Sequence, residues 1–127
     1  MRLYLLLFVF IIVPIALSYG LTPAETLPKA LDIAISGTDQ THIFRALMFL
    51  YLGAAAFWAI AAFTPAWQRT AVIWAIFFAY SLAAGRAVSL MVDGRPSLLL
   101  LSYLALEVFG GTLGLAVLLA EDRKLRR

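Results

Sequence analysis

Leu98-Leu-Leu-Leu-Ser-Tyr-Leu-Ala-Leu-Glu-Val-Phe-Gly-Gly-Thr-Leu-Gly-Leu-Ala-Val-Leu-Leu-Ala120 carries one charged residue, Glu107, in an otherwise apolar run. As a helix it would reach roughly 34 Å, enough to cross the hydrocarbon core of a bilayer. A lone segment has no strand partner, so only a helix satisfies its backbone polar groups in lipid. Three further runs share this character, from about Leu3 to Gly20, His42 to Phe63 and Ala71 to Val92. The spans at 3–20, 42–63, 71–92 and 98–120 predict an all-α polytopic membrane protein. They form one antiparallel four-helix transmembrane bundle over residues 1–127, with a loop at 21–41 outside the membrane.

Composition agrees. Hydrophobic residues make up 64% of the chain and charged residues 13%, with a mean hydropathy of +0.95. Soluble domains carry about a quarter charged residues, so lipid must cover the excess apolar surface. There is no Cys, which excludes disulfides and thiol catalysis. The single His is too few for the usual multi-His metal sites, and no cofactor is expected. The net charge is +3, and most of the basic residues flank the apolar runs. That placement suits anionic lipid headgroups and argues against nucleic acid.

The first span resembles a signal peptide, with Arg2 ahead of an apolar core, but Ile15-Ala-Leu-Ser-Tyr-Gly20 is a poor cleavage site. It is read as a retained span, kinked at Pro14. Thr64-Pro65 suits the N-cap and first position of the third span. Asp93-Gly-Arg-Pro96 suits a tight turn, with Pro96 at the next helix start. Asp39 or Thr41 is expected to cap the second span. The stretch Leu27–Ile35 fits either a short interfacial helix or an extended flap.

Basic residues favour the cytoplasmic side of membrane proteins. Arg2, Arg69, Arg123, Lys124, Arg126 and Arg127 fall on one side, and Lys29 and Arg95 on the other. Both termini are therefore expected in the cytoplasm. Trp58, Trp67 and Trp74 lie toward that side, as an interfacial aromatic belt would.

Charged residues inside spans usually face the bundle interior and have partners. Arg45, Arg86 and Glu107 are the three. Arg86 lies roughly 9–10 Å below the Asp93 turn and Glu107 roughly 15 Å below Pro96, a difference that an Arg side chain spans. Arg86–Glu107 is the expected buried pair. Asp93 and Ser89 share the Arg86 face, His42 and Arg45 share a face of the second span, and Tyr103 lies one turn from Glu107. Together they outline an outward-opening polar pocket. Arg45, Arg86 and Arg95 outnumber Glu107 and Asp93, so a carboxylate or phosphate group would satisfy the surplus guanidinium. An Arg–Glu pair can equally serve as a structural clamp, and both roles stay open. Gly110 and Gly114, Gly53 to Ala56, and Ala75, Ala79 and Ala83 offer small faces for close packing.

His42 and Asp93 with Ser89 or Ser97 could be grouped as a triad, but there is no nucleophile elbow, and no catalytic set is assigned. The expected function is binding or accessory. The protein would hold a lipid-like or anionic small molecule in the outer pocket, or serve as a subunit beside a larger membrane complex, with a homo-oligomer also compatible. A membrane enzyme for a lipid or quinone-like substrate and a proton-coupled small transporter are the alternatives.

Thr41-His-Ile-Phe-Arg-Ala46, Tyr51-Leu-Gly53, Gly85-Arg86, Ser89, Asp93-Gly-Arg-Pro-Ser97 and Glu107 give nearly the whole chain a further reading. The sequence resembles a family of small bacterial four-span membrane proteins known only as a domain of unknown function. The resemblance implies a bacterial inner-membrane location and brings no activity with it. The small multidrug exporters have a similar size, but they rely on a Glu in the first span that this chain lacks.

Overall fold

A computed structural model describes residues 1–125, so the end of the basic tail, Arg126 and Arg127, lies outside the described residues. The described chain forms five helices: α1 (Arg2–Gly20), α2 (Pro23–Leu31), α3 (Thr38–Ala62), α4 (Pro65–Val92) and α5 (Leu98–Leu125). All but α2 are long and apolar enough to cross a membrane. The fold is all-α, and its four long helices occupy the four runs expected from hydropathy.

The helix ends depart from expectation where polar residues extend a helix past its apolar core. α3 starts at Thr38, not His42, with Gly37 in the cap position instead of Asp39 or Thr41. Ser36 N–H donates to Gln40 Oε1 at 2.7 Å, which closes this end without either residue. α4 begins at Pro65, because Thr64 and Pro65 do initiate it and Gln68 and Arg69 simply fill its first turns. Pro96 does not open α5. Ser97 precedes the helix, and its hydroxyl accepts from the Leu100 N–H at 3.4 Å. α1 runs without interruption through Pro14.

The stretch after α1 is a short helix followed by extended chain. Asp32 adopts a left-handed conformation (φ 56°), and the Ile33 N–H returns to the Leu27 carbonyl at 3.3 Å, a common closing pattern for helix C-termini. Leu27 is only 1% exposed, and Thr26 Oγ1 donates to the Ser18 carbonyl at 2.8 Å. These contacts pin α2 across the end of α1.

The long helices associate mainly as two pairs, α1 with α3 and α4 with α5, with lighter contact between the pairs. In the first pair, Arg2 lies 4.4 Å from the Phe63 ring at one end and Tyr19 stacks on Phe44 at the other. In the second, Arg69 pairs with Asp122, Tyr80 with Thr112 and Arg86 with Glu107. Each pair is antiparallel. Gly111 and Gly114 let α5 approach closely, since a Cβ at either would meet Tyr80, or Tyr4 and Ile76, at 2.9 Å or less. Ala75, Ala79 and Ala83 are buried along α4.

Between the pairs runs a column of rings. Tyr4 contacts Phe8, Phe8 meets Trp58 edge-on, and the series continues through Phe78 and Tyr51 to Tyr19, with centroids 4.8–6.0 Å apart. Edge-to-face contacts in this range add to what burial alone supplies. Trp58 is therefore core, at 0% exposed, and not part of a belt. Trp67 and Trp74 do lie at the surface.

Candidate functional site

Arg86 projects from α4 about 9 Å before that helix ends, and Glu107 from α5 about 14 Å after it begins. Nε of Arg86 donates to both carboxylate oxygens, at 2.9 and 3.0 Å. The side chains are 22% and 12% exposed, so the pair is largely withdrawn from the surface. Its position follows from the constant register of the α4–α5 seam, which also holds Tyr80 against Thr112 at 3.0 Å.

Tyrosines complete the site. The Arg86 guanidinium lies 5.6 Å from the centre of the Tyr103 ring, within cation–π range. The Tyr19 hydroxyl neighbours that guanidinium, and Tyr51 lines the same cavity as the pair. The Tyr103 hydroxyl sits beside Ser18 and Tyr19. Thus α1, α3, α4 and α5 all contribute. Tyr19 and Tyr51 were not among the expected site residues, because aromatic residues are frequent throughout these spans.

Of the expected residues, Arg86, Glu107 and Tyr103 come together. Arg45 does not join them: it is exposed and has no ion-pair partner among the described residues. The α1 backbone lies against that part of α3, where a Cβ on Gly20 would be 3.1 Å from Arg45 Cα and 2.6 Å from Met48 Cβ. Met48 faces inward, and Arg45 points elsewhere. His42 is exposed one turn before Arg45. Ser89 Oγ donates to Asp93 Oδ2 at 2.6 Å at the exposed end of α4, so those two satisfy each other. Of the polar pocket expected from α3, α4 and α5, one ion pair among tyrosines is what the structure assembles.

The pair closes one end of a cavity of about 200 Å3 between α1, α4 and α5. Apart from the pair, Tyr51, Tyr103 and Tyr4, whose hydroxyl donates to the Gly110 carbonyl at 3.1 Å, the walls are apolar, with Ile11, Ile15 and Leu82 among them. Leu7, Leu106 and Phe109 line its rim and are themselves exposed, so it opens sideways between α1 and α5, which touch only sparsely. A smaller hollow of about 60 Å3 lies on the opposite side of Arg86, toward Ser89 and Pro96. The expected polar pocket is therefore an apolar recess with a polar end.

Bundle, ion pair and side-opening recess define a small four-span integral membrane protein with a charged pair inside the membrane. Residues 1–118 match the family model described as "Domain of unknown function (DUF4345)", and the chain belongs to that family. No curated protein and no solved structure matches it.

Proposed function

We propose that this protein is a binding protein of the bacterial inner membrane, with both termini in the cytoplasm, which takes a lipid-like molecule from the bilayer into the recess between α1 and α5. One observation carries the reading: an apolar cavity opens on the side of the bundle, between α1 and α5, and ends on a partly buried Arg–Glu pair flanked by tyrosines. Sites for small molecules are concave and mostly apolar, with a few convergent polar groups, and charged groups inside membranes are functional by default. An apolar chain fits the walls, and a polar head would meet Arg86, Tyr51 and Tyr103.

The test is to purify the protein from its own membranes and identify retained lipids by mass spectrometry. Leu113→Trp places an indole on the cavity wall, whereas Leu98→Trp alters a position 76% exposed and away from it. Retention of a defined lipid by wild type and Leu98→Trp, with loss in a folded Leu113→Trp, supports the reading. Equal retention in all three overturns it.

A further inference from the structure

The proposed binding function leaves the chemistry of the ligand open, and three features of the recess narrow it. The first is charge. Arg86 and Glu107 neutralise each other inside the cavity lining, so the pair presents no net charge to an occupant. A carboxylate or phosphate would have to displace Glu107 or sit beside it, and like charges in a poorly solvated site repel. A cation would meet the same obstacle from Arg86.

The second feature is the donor inventory. A guanidinium has five N–H donors, and the carboxylate engages only the one on Nε. The terminal nitrogens keep four, more than the neighbouring Tyr19 hydroxyl can take up. Arg86 thus retains donors for an oxygen acceptor without offering a free charge. The third feature is size. An apolar cavity of about 150 Å3 accommodates benzene. A recess of about 200 Å3 therefore admits one ring or a length of one chain, and not the two chains of a phospholipid. The open rim at Leu106 and Phe109 lets the remainder of a longer molecule stay in the bilayer.

We infer that the ligand is an uncharged amphiphile with a single narrow apolar chain or ring and a carbonyl or hydroxyl oxygen at its head, accepted by the Arg86 guanidinium. This inference rests on the binding function proposed above and adds the ligand's charge, head chemistry and width. The surplus of arginines over carboxylates does not bear on the recess, because Arg45 and Arg95 are both exposed and do not line it.

The experiment uses the full chain in lipid nanodiscs and two photoprobes of equal chain length, a long-chain methyl ketone and a fatty acid, each with a diazirine in the chain. Competitors are the unlabelled ketone, fatty acid, alkylammonium and a diacylglycerol. Labelled residues are mapped by mass spectrometry. The expected result is saturable ketone labelling of the wall formed by Ile11, Leu106 and Phe109, displaced by the unlabelled ketone at concentrations roughly tenfold below those needed for the other three. Displacement by the fatty acid or alkylammonium as effectively as by the ketone overturns the uncharged head. Displacement by diacylglycerol as effectively overturns the single chain. Either result leaves the binding function standing, whereas saturable labelling by neither photoprobe overturns both. Glu107→Gln removes the neutralising charge and should shift preference toward the fatty acid by roughly tenfold. An unchanged preference in a folded variant overturns the charge argument, and the wild-type comparison stands if that variant fails to fold.

Discussion

Arg86 Nε donates to both oxygens of Glu107 across the α4–α5 seam, so one nitrogen holds an entire carboxylate. Removing either partner strands the other where water is scarce. Glu107→Ala or Arg86→Ala should each lower unfolding stability by about 3 kcal/mol. The double change Arg86→Met/Glu107→Leu should recover most of that loss, because it strands no charge. Unfolding in mixed micelles at graded denaturing detergent measures all three. A double variant as unstable as the singles would show that the pair supports the seam by something other than mutual neutralisation.

Gly20 marks a close approach between α1 and α3. A Cβ there would lie 2.6 Å from Met48 Cβ and 2.8 Å from the Phe44 carbonyl, neither of which can swing away. Gly20→Val should destabilise the bundle by about 1–3 kcal/mol, the usual range for overpacking. Gly53→Ala faces open space and should stay within about 0.5 kcal/mol of wild type. Thermal unfolding in one detergent compares the two, and equal effects would refute the close approach.

Trp58 is fully buried, and its indole Nε1 has no hydrogen-bond partner among the described residues. An unsatisfied buried donor costs about 1–3 kcal/mol. Trp58→Phe removes that donor while keeping a ring against Phe8 and Phe78, so its lost volume is partly offset, and stability should change by less than about 1.5 kcal/mol. Trp58→Ala opens the aromatic column and should lose about 3–5 kcal/mol. Unfolding curves separate these outcomes. A Phe variant as damaged as the Ala variant would mean that the indole nitrogen has a partner.

The number and placement of the helices were legible because each span is a long apolar run. Arg86–Glu107 was legible because α4 and α5 are joined by a short turn, so distance along each helix sets depth in both. Arg45 was misplaced for a different reason. Depth along α3 says nothing about which face a residue occupies, and in a helix apolar all round no amphipathic stripe marks the inner face. The same shortfall makes Trp58 read as a belt residue in the sequence, although it is core. Tyr19 and Tyr51 gave no signal among so many aromatic residues. The recess arises from sparse contact between α1 and α5, which are far apart in sequence, so no local pattern encodes it.

Orientation is the remaining relation between chain and membrane that can be measured directly. Arg69 pairs with Asp122 at the end of the bundle that also carries Arg2, Arg123 and Lys124, whereas Lys29 and Arg95 lie at the other end. The side with the excess of Lys and Arg near span ends is the cytoplasmic one. With no native Cys to mask the result, single Cys residues can be placed at Lys29, Ser97, Thr70 and Arg123. A membrane-impermeant maleimide applied to intact cells should label Lys29→Cys and Ser97→Cys. It should reach Thr70→Cys and Arg123→Cys only after the membrane is opened. The reverse pattern would place the α2 end in the cytoplasm and invert the topology, while labelling at both ends before opening would indicate a mixed population.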